Sequence, residues 1–186
     1  MNRPQAVLAE APTPTPLPTG PKPKRRRTWV ARLFRLVEFS AAHALFIFLA
    51  IEAQIALNQE PAGARVAAVA LVFTAGGLMG GAAAWIACAW LAMKLRWSAR
   101  AALIMVVLTI FTLGAAAFLN FLQFRIYIAQ FHEQTINMIW LKQNIITGLS
   151  STGLFAMFGP RYLLPVGLLA LFASTLHFLW MTKRGG

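Results

Sequence analysis

Four long apolar stretches constrain this chain more than any other feature of its sequence. They cover residues 36–57, 66–93, 101–124 and 162–181. The hydrocarbon core of a bilayer is about 30 Å thick, and a helix needs roughly 20 predominantly apolar residues to cross it. Each stretch reaches that length, so the sequence predicts four transmembrane helices.

The composition agrees with this prediction. Hydrophobic residues make up 59% of the chain and charged residues only 12%, whereas about a quarter of a soluble domain is charged. We therefore expect an all-α integral membrane protein.

The distribution of basic residues predicts an orientation. Eight of the 17 lysines and arginines precede the first apolar stretch. A cytoplasmic N-terminus puts five more on the same side: Lys94, Arg96, Arg100, Lys183 and Arg184. Because cytoplasmic loops carry an excess of Lys and Arg, both termini are predicted to be cytoplasmic. The positive charge is grouped at the membrane edge rather than over a folded surface, so no nucleic-acid partner is expected.

Residues 1–28 differ sharply from the rest of the chain. They contain seven of the ten prolines and the basic run Lys24–Arg27. Such a segment cannot bury enough apolar surface to offset the entropy of ordering. The predicted organisation is a disordered, proline-rich, basic cytoplasmic tail over 1–28 and a four-helix transmembrane domain over 29–184.

The polar segment between the third and fourth stretches contains the sequence AQFHEQTINMIW. A zinc protease helix needs a second histidine four residues after the first, and Ile136 occupies that position. From 127 to 149, apolar and polar residues separate onto opposite sides of a helix, which predicts an amphipathic helix on the non-cytoplasmic side. Two alternatives remain open: a fifth span over 136–158, or a re-entrant turn in this region.

The second apolar stretch carries small residues at intervals of four. Gly76 and Gly80 lie on one helix face, and Gly77 and Gly81 lie on the neighbouring face. Small residues at this spacing let helices approach closely in a membrane. The sequence leaves open whether these faces contact other spans of this chain or a partner.

Two histidines fall within predicted spans, His43 in the first and His177 in the fourth, at similar depth toward the cytoplasmic side. Facing each other, they could bind a b-type haem or form a proton-responsive pair. Alternatively, each imidazole hydrogen-bonds a neighbouring group, for which Ser40 and Ser174 are suitably placed one turn away.

A set of polar side chains lies in the outer half of the first and third spans. It consists of Glu52, Gln54, Asn120 and Gln123. A carboxylate inside a membrane with polar neighbours can carry protons or bind a cation. The other interpretation is a hydrogen-bonded carboxyl group with no transport role.

The first span is polar on two sides. At about 100° per residue, His43 and Gln54 fall on one side, and Glu52 falls nearly opposite, in line with Glu38. Four helices cannot easily enclose one of their number, so we expect a membrane-protein partner or a homo-oligomer to cover one side.

Catalytic patterns are not apparent in the sequence, which has one cysteine, three histidines and no aspartate. We therefore predict no catalytic or metal site and a non-enzymatic accessory, assembly or regulatory subunit of a larger complex. The alanine-rich, lysine-poor spans favour a multi-pass protein of a bacterial inner membrane. The alternatives are a haem or proton-responsive protein using His43 and His177, and a small oligomeric transporter using Glu52 and Asn120.

Overall fold

The computed structural model describes residues 26–59, 63–91, 95–128 and 137–184, which form five α-helices and no strand. The helices are α1 (Arg26–Leu57), α2 (Ala64–Leu91), α3 (Trp97–Ile128), α4 (Met138–Leu163) and α5 (Val166–Arg184). Four of them, α1, α2, α3 and α5, are long and apolar enough to cross a membrane. The prediction of an all-helical protein with four helices of membrane-spanning length is confirmed. Residues 1–25 of the predicted tail lie outside the described residues, and its last three belong to α1.

Helix α2 lies between α1 and α3 and runs antiparallel to both. A Cβ built on each of its four central glycines meets a neighbouring helix at 2.6–3.2 Å. The nearest residues are His43 for Gly81 and Ile47 for Gly77, both in α1, and Thr112 for Gly80 and Ala116 for Gly76, both in α3. Both small-residue faces are therefore used within the chain, where they allow close backbone approach.

Helix α5 packs antiparallel to α1. The rings of Phe39 and Phe178 meet edge to face with centroids 5.4 Å apart. One turn further along α1, His43 contacts Ser174. The C-terminal end of α5 reaches the start of α3, where Lys183 and Arg100 line one cavity. Helices α1, α2, α3 and α5 thus form a bundle around a shared centre.

Helix α4 packs along the second half of α3. It begins at Met138 because the Asn137 side chain accepts a hydrogen bond from the Trp140 N–H at 2.8 Å and caps the helix. Asn120 of α3 donates to Ser151 Oγ at 3.1 Å. The prediction of one amphipathic helix over 127–149 is not confirmed: residues 127–128 end α3, residues 138–149 begin α4, and residues 129–136 lie outside the described residues.

Helix α5 begins at Val166, four residues after the start predicted for the fourth span. Helix α4 continues through Pro160 and ends at Leu163, and the Leu164 N–H donates to the Pro160 carbonyl at 2.9 Å. Leu164 is extended (φ −96°, ψ 137°), because the ring of Pro165 disfavours helical geometry in the preceding residue. Helices α4 and α5 then follow one another in the same direction, together antiparallel to α3.

The polarity of α4 is inverted relative to that of a helix on a water-soluble domain. Thr147 and Ser151 are buried against the bundle. The opposite side is mostly apolar and exposed, with Met138, Leu141, Ile145 and Leu149, and it also carries exposed Lys142 and Thr152. A helix in water buries its apolar stripe, whereas lipid gives an apolar side chain no reason to turn inward. This outer side of α4 therefore suits lipid or an apolar partner.

The alternative of a fifth span over 136–158 falls largely on α4. Among the described residues, α4 is not one of the helices that meet the length and hydropathy of a membrane span.

Gly80→Ala tests the close approach of α2 and α3. The new methyl group would lie 2.6 Å from the Thr112 Cα, which is backbone and cannot rotate away. We expect the free energy of unfolding in detergent to fall by about 1–3 kcal/mol.

Gly114→Ala provides the matched control, because nothing lies within 4 Å of a Cβ at that helical position. This variant should be neutral or more stable by up to about 1 kcal/mol. Equal losses in the two variants, measured by SDS titration, would show that α2 and α3 are not in close contact.

Candidate functional site

An ionisable side chain lies at the centre of the bundle. His43 is the middle residue of Trp29–Leu57, the membrane-length part of α1, and its side chain is fully buried. Thr112 of α3 and Ser174 of α5 are buried beside it. Polar groups at this depth are costly unless they have partners. We call His43, Thr112 and Ser174 the histidine node.

Both ring nitrogens of His43 are hydrogen-bonded across helices. Nδ1 lies 2.7 Å from Ser174 Oγ, and Nε2 lies 2.9 Å from Thr112 Oγ1. The Ser174 hydroxyl donates its one proton to the Ala170 carbonyl at 2.7 Å, so it accepts from His43 Nδ1–H. In the neutral imidazole, Nε2 is then the acceptor for the Thr112 hydroxyl. This tautomer, assigned from the network, satisfies every group of the node.

Residues of α1 and α2 around His43 fix the position of its imidazole. A Cβ at Gly81 would lie 3.1 Å from His43 Cδ2, so a larger residue there would compete with the ring for space. Phe39, one turn earlier in α1, stacks on the imidazole with centroids 6.1 Å apart and planes 4° from parallel. Ser40, one of the predicted partners, instead donates to its own helix at Leu36 O.

His177 lies in an aromatic environment outside the node. Its ring stacks on Phe39 with centroids 6.1 Å apart and meets Phe46 edge to face at 6.4 Å. It also lies near Trp180, at 6.0 Å. Its Nε2 is shielded from solvent and has no hydrogen-bond partner among the described residues. Ser174, the partner predicted for His177, bonds His43 instead.

The geometry of the two histidines does not fit a shared haem. To hold a haem iron from both sides, each histidine needs a free ring nitrogen, and the space between the two rings must be empty enough for the macrocycle. Both nitrogens of His43 are engaged, its side chain is fully buried, and the Phe39 ring packs against both imidazoles. The cradle that a macrocycle needs is therefore filled by protein side chains.

The polar residues of the predicted transport cluster point in different directions. Glu52 and Gln123 are exposed. Gln54 is buried and donates to Asn58 within its own helix at 3.2 Å. Asn120 bonds α4 instead. Among the described residues, no hydrogen bond joins the members from α1 to those from α3.

No metal-ligand cluster is present in the part of the chain that the structure describes, where no group of three or more His, Cys, Asp or Glu residues could hold an ion. His132 and Glu133 lie outside the described residues. Comparison of the chain with protein-family models, with curated proteins and with solved structures finds no match.

Thr112 belongs to the site, although no sequence pattern predicts it. Its signal is a hydroxyl in the middle of the third apolar stretch, in the sequence TIFTLG. A second hydroxyl one turn away, Thr109, bonds only its own helix at Met105 O, so the sequence alone does not separate the two. Their packing shows that the node connects α1, α3 and α5.

Thr112→Val tests whether the node stabilises the bundle. The substitution keeps the side-chain shape and removes the donor to His43. We expect the free energy of unfolding to fall by about 0.6 kcal/mol, the average for hydrogen bonds between membrane helices, and by at most about 1.7 kcal/mol. Thr109→Val, with only an intrahelical bond to lose, should change stability less.

A double-mutant cycle isolates the bond itself. In a His43→Leu background, Thr112→Val should cost nothing further, since its partner is already gone. An undiminished cost in that background would show that Thr112 acts independently of His43.

Proposed function

We propose that this protein is a non-enzymatic accessory, assembly or regulatory subunit of a larger membrane complex. We further propose that it is a multi-pass protein of a bacterial inner membrane with a cytoplasmic N-terminus. The observation that carries the first proposal is the position of Glu52. It lies on the exposed side of α1, although its helix has a buried polar centre at His43.

The exposed side of α1 forms a stripe with an acidic residue near each end. Glu38, Leu45 and Glu52 recur at intervals of seven residues and are all exposed. At 1.5 Å per residue, the two carboxyl groups are about 21 Å apart along the helix. We call this surface the acidic stripe.

The spacing of the acidic stripe leaves at least one carboxyl group in an apolar environment. For any bilayer midplane between Glu38 and Glu52, one of the two lies about 10 Å or less from it, inside a core that extends about 15 Å to each side. A charged residue facing lipid near the midplane costs about 2.5–3.5 kcal/mol on insertion scales. A protein surface over the stripe would remove that cost.

Charge complementarity indicates what covers the stripe. A second copy docked by the same face in a two-fold arrangement would place carboxyl groups against carboxyl groups. A different protein can offer Lys, Arg or amide donors at two depths about 20 Å apart. The proposed partner is therefore a transmembrane helix of another chain with donors at that spacing.

The transport alternative receives less support from the same contacts. Glu52 faces outward while Asn120 bonds α4. The cavity beside the bundle centre has a volume of about 170 Å³ and is lined mainly by apolar groups, including Leu113, Leu163 and Leu171. Among the described residues, this arrangement offers no continuous row of polar groups for an ion to follow. The proton-responsive alternative, which uses His43 and His177, stays a prediction.

Purification of the tagged full-length protein from its native host in mild detergent tests the accessory function. We expect a discrete partner chain at fixed stoichiometry, and its recovery should fall at least tenfold in Glu52→Lys. Gln123→Lys is the matched control, because it introduces the same cation at an exposed site on α3 and should retain the partner.

Absence of a copurifying chain, or equal recovery with both variants, would contradict the proposal. An absorbance spectrum of the same sample separates the alternatives. A haem band lost in His43→Ala would transfer the assignment to the two histidines.

A further inference from the structure

A basic cavity lies at the end of the bundle where α3 begins and α5 ends. It has a volume of about 420 Å³. Its described lining is Trp97, Arg100, Leu179, Thr182 and Lys183. The set contains two cations, a hydroxyl and an indole, and no acidic side chain. Neither the histidine node nor the acidic stripe includes any of these residues.

One group of this cavity lacks a partner. The Nε of Arg100 is shielded from solvent, and no described residue accepts a hydrogen bond from it. A guanidinium presents donors in a fixed planar fork that suits the oxygens of phosphate or carboxylate. Lys183 adds a second cation from the facing helix, on the flexible stem of a lysine. The cavity therefore has the chemistry of an anion site that holds oxyanions.

The depth of the cavity indicates the source of the anion. The histidine node marks the level of the midplane, because His43 is the middle residue of the membrane-length part of α1. Arg100 lies 12 residues from Thr112, and Lys183 lies 9 residues from Ser174, or about 18 Å and 14 Å from that level. The headgroup zone of a bilayer begins about 15 Å from the midplane and extends to about 20–22 Å. The exposed ring of Trp97 at the same end is typical of a residue at the membrane interface.

We propose that this cavity binds the phosphate group of an anionic phospholipid. Arg100 and Lys183 contact the phosphate oxygens, and Trp97 packs beside the glycerol region. The Thr182 hydroxyl lines the cavity and donates its proton to the Leu179 carbonyl at 2.9 Å. Basic pockets between membrane helices at this depth suit lipid headgroups. The site is independent of the accessory function proposed above.

Native mass spectrometry and thermal unfolding of the delipidated full-length protein test the site. The probes are dioctanoyl phosphatidylglycerol, dioctanoyl phosphatidylcholine and inorganic phosphate. We expect the anionic lipid to be retained and to raise the unfolding temperature, and the zwitterionic lipid to do neither. Arg100→Gln and Lys183→Gln should each weaken retention about fivefold, and the double variant about 25-fold, since each cation near the surface contributes about 1 kcal/mol.

Arg32→Gln is the matched control, because it removes one exposed positive charge from α1, outside the cavity. It should retain the lipid as the wild type does. Lys183 is exposed, so its variant keeps the test valid even if Arg100→Gln does not fold. Equal weakening in Arg32→Gln and Lys183→Gln would overturn the site in favour of general surface charge. Stabilisation by inorganic phosphate equal to that by the anionic lipid would overturn the lipid as its occupant.

Discussion

The close approach of α2 to its two neighbours is the constraint on which the rest of the structure depends. Glycines on adjacent faces of α2 bring both α1 and α3 to within contact of its backbone. Without side chains at Gly80 and Gly81, Thr112 and His43 come close enough to bond across the bundle at 2.9 Å. Packing of small residues, which lipid does not oppose, thus creates the pocket in which a polar centre is satisfied.

Helix α1 combines an inward and an outward polar surface, and this combination connects the fold to the proposed function. Its inward side is complete, because His43 has a partner on each ring nitrogen. Its outward side ends in two exposed carboxylic residues, Glu38 and Glu52. A helix that is satisfied on one side and costly in lipid on the other suits a subunit with a protein neighbour.

The elements that could be predicted from sequence are those governed by hydropathy and length. Four helices of membrane-spanning length follow from apolar stretches, and the close-packing role proposed for Gly76–Gly81 depends only on residue size. The sequence predicts the helix break too early, because Pro160 and Pro165 are close together. Helix α4 continues through Pro160, and it ends before Pro165, where Leu164 is extended. The partners of His43 come from α3 and α5, and no local pattern shows which hydroxyl converges in space.

Photo-crosslinking in native membranes tests most directly whether another protein covers the acidic stripe. A benzoyl-phenylalanine replaces Leu45, between the two carboxyl groups, or Ile110, an exposed position on α3. If a partner covers the acidic stripe, position 45 gives a discrete adduct with a different protein and position 110 gives none. Failure of position 45 to give a protein adduct, or an adduct consisting of two copies of this chain, would contradict the proposal.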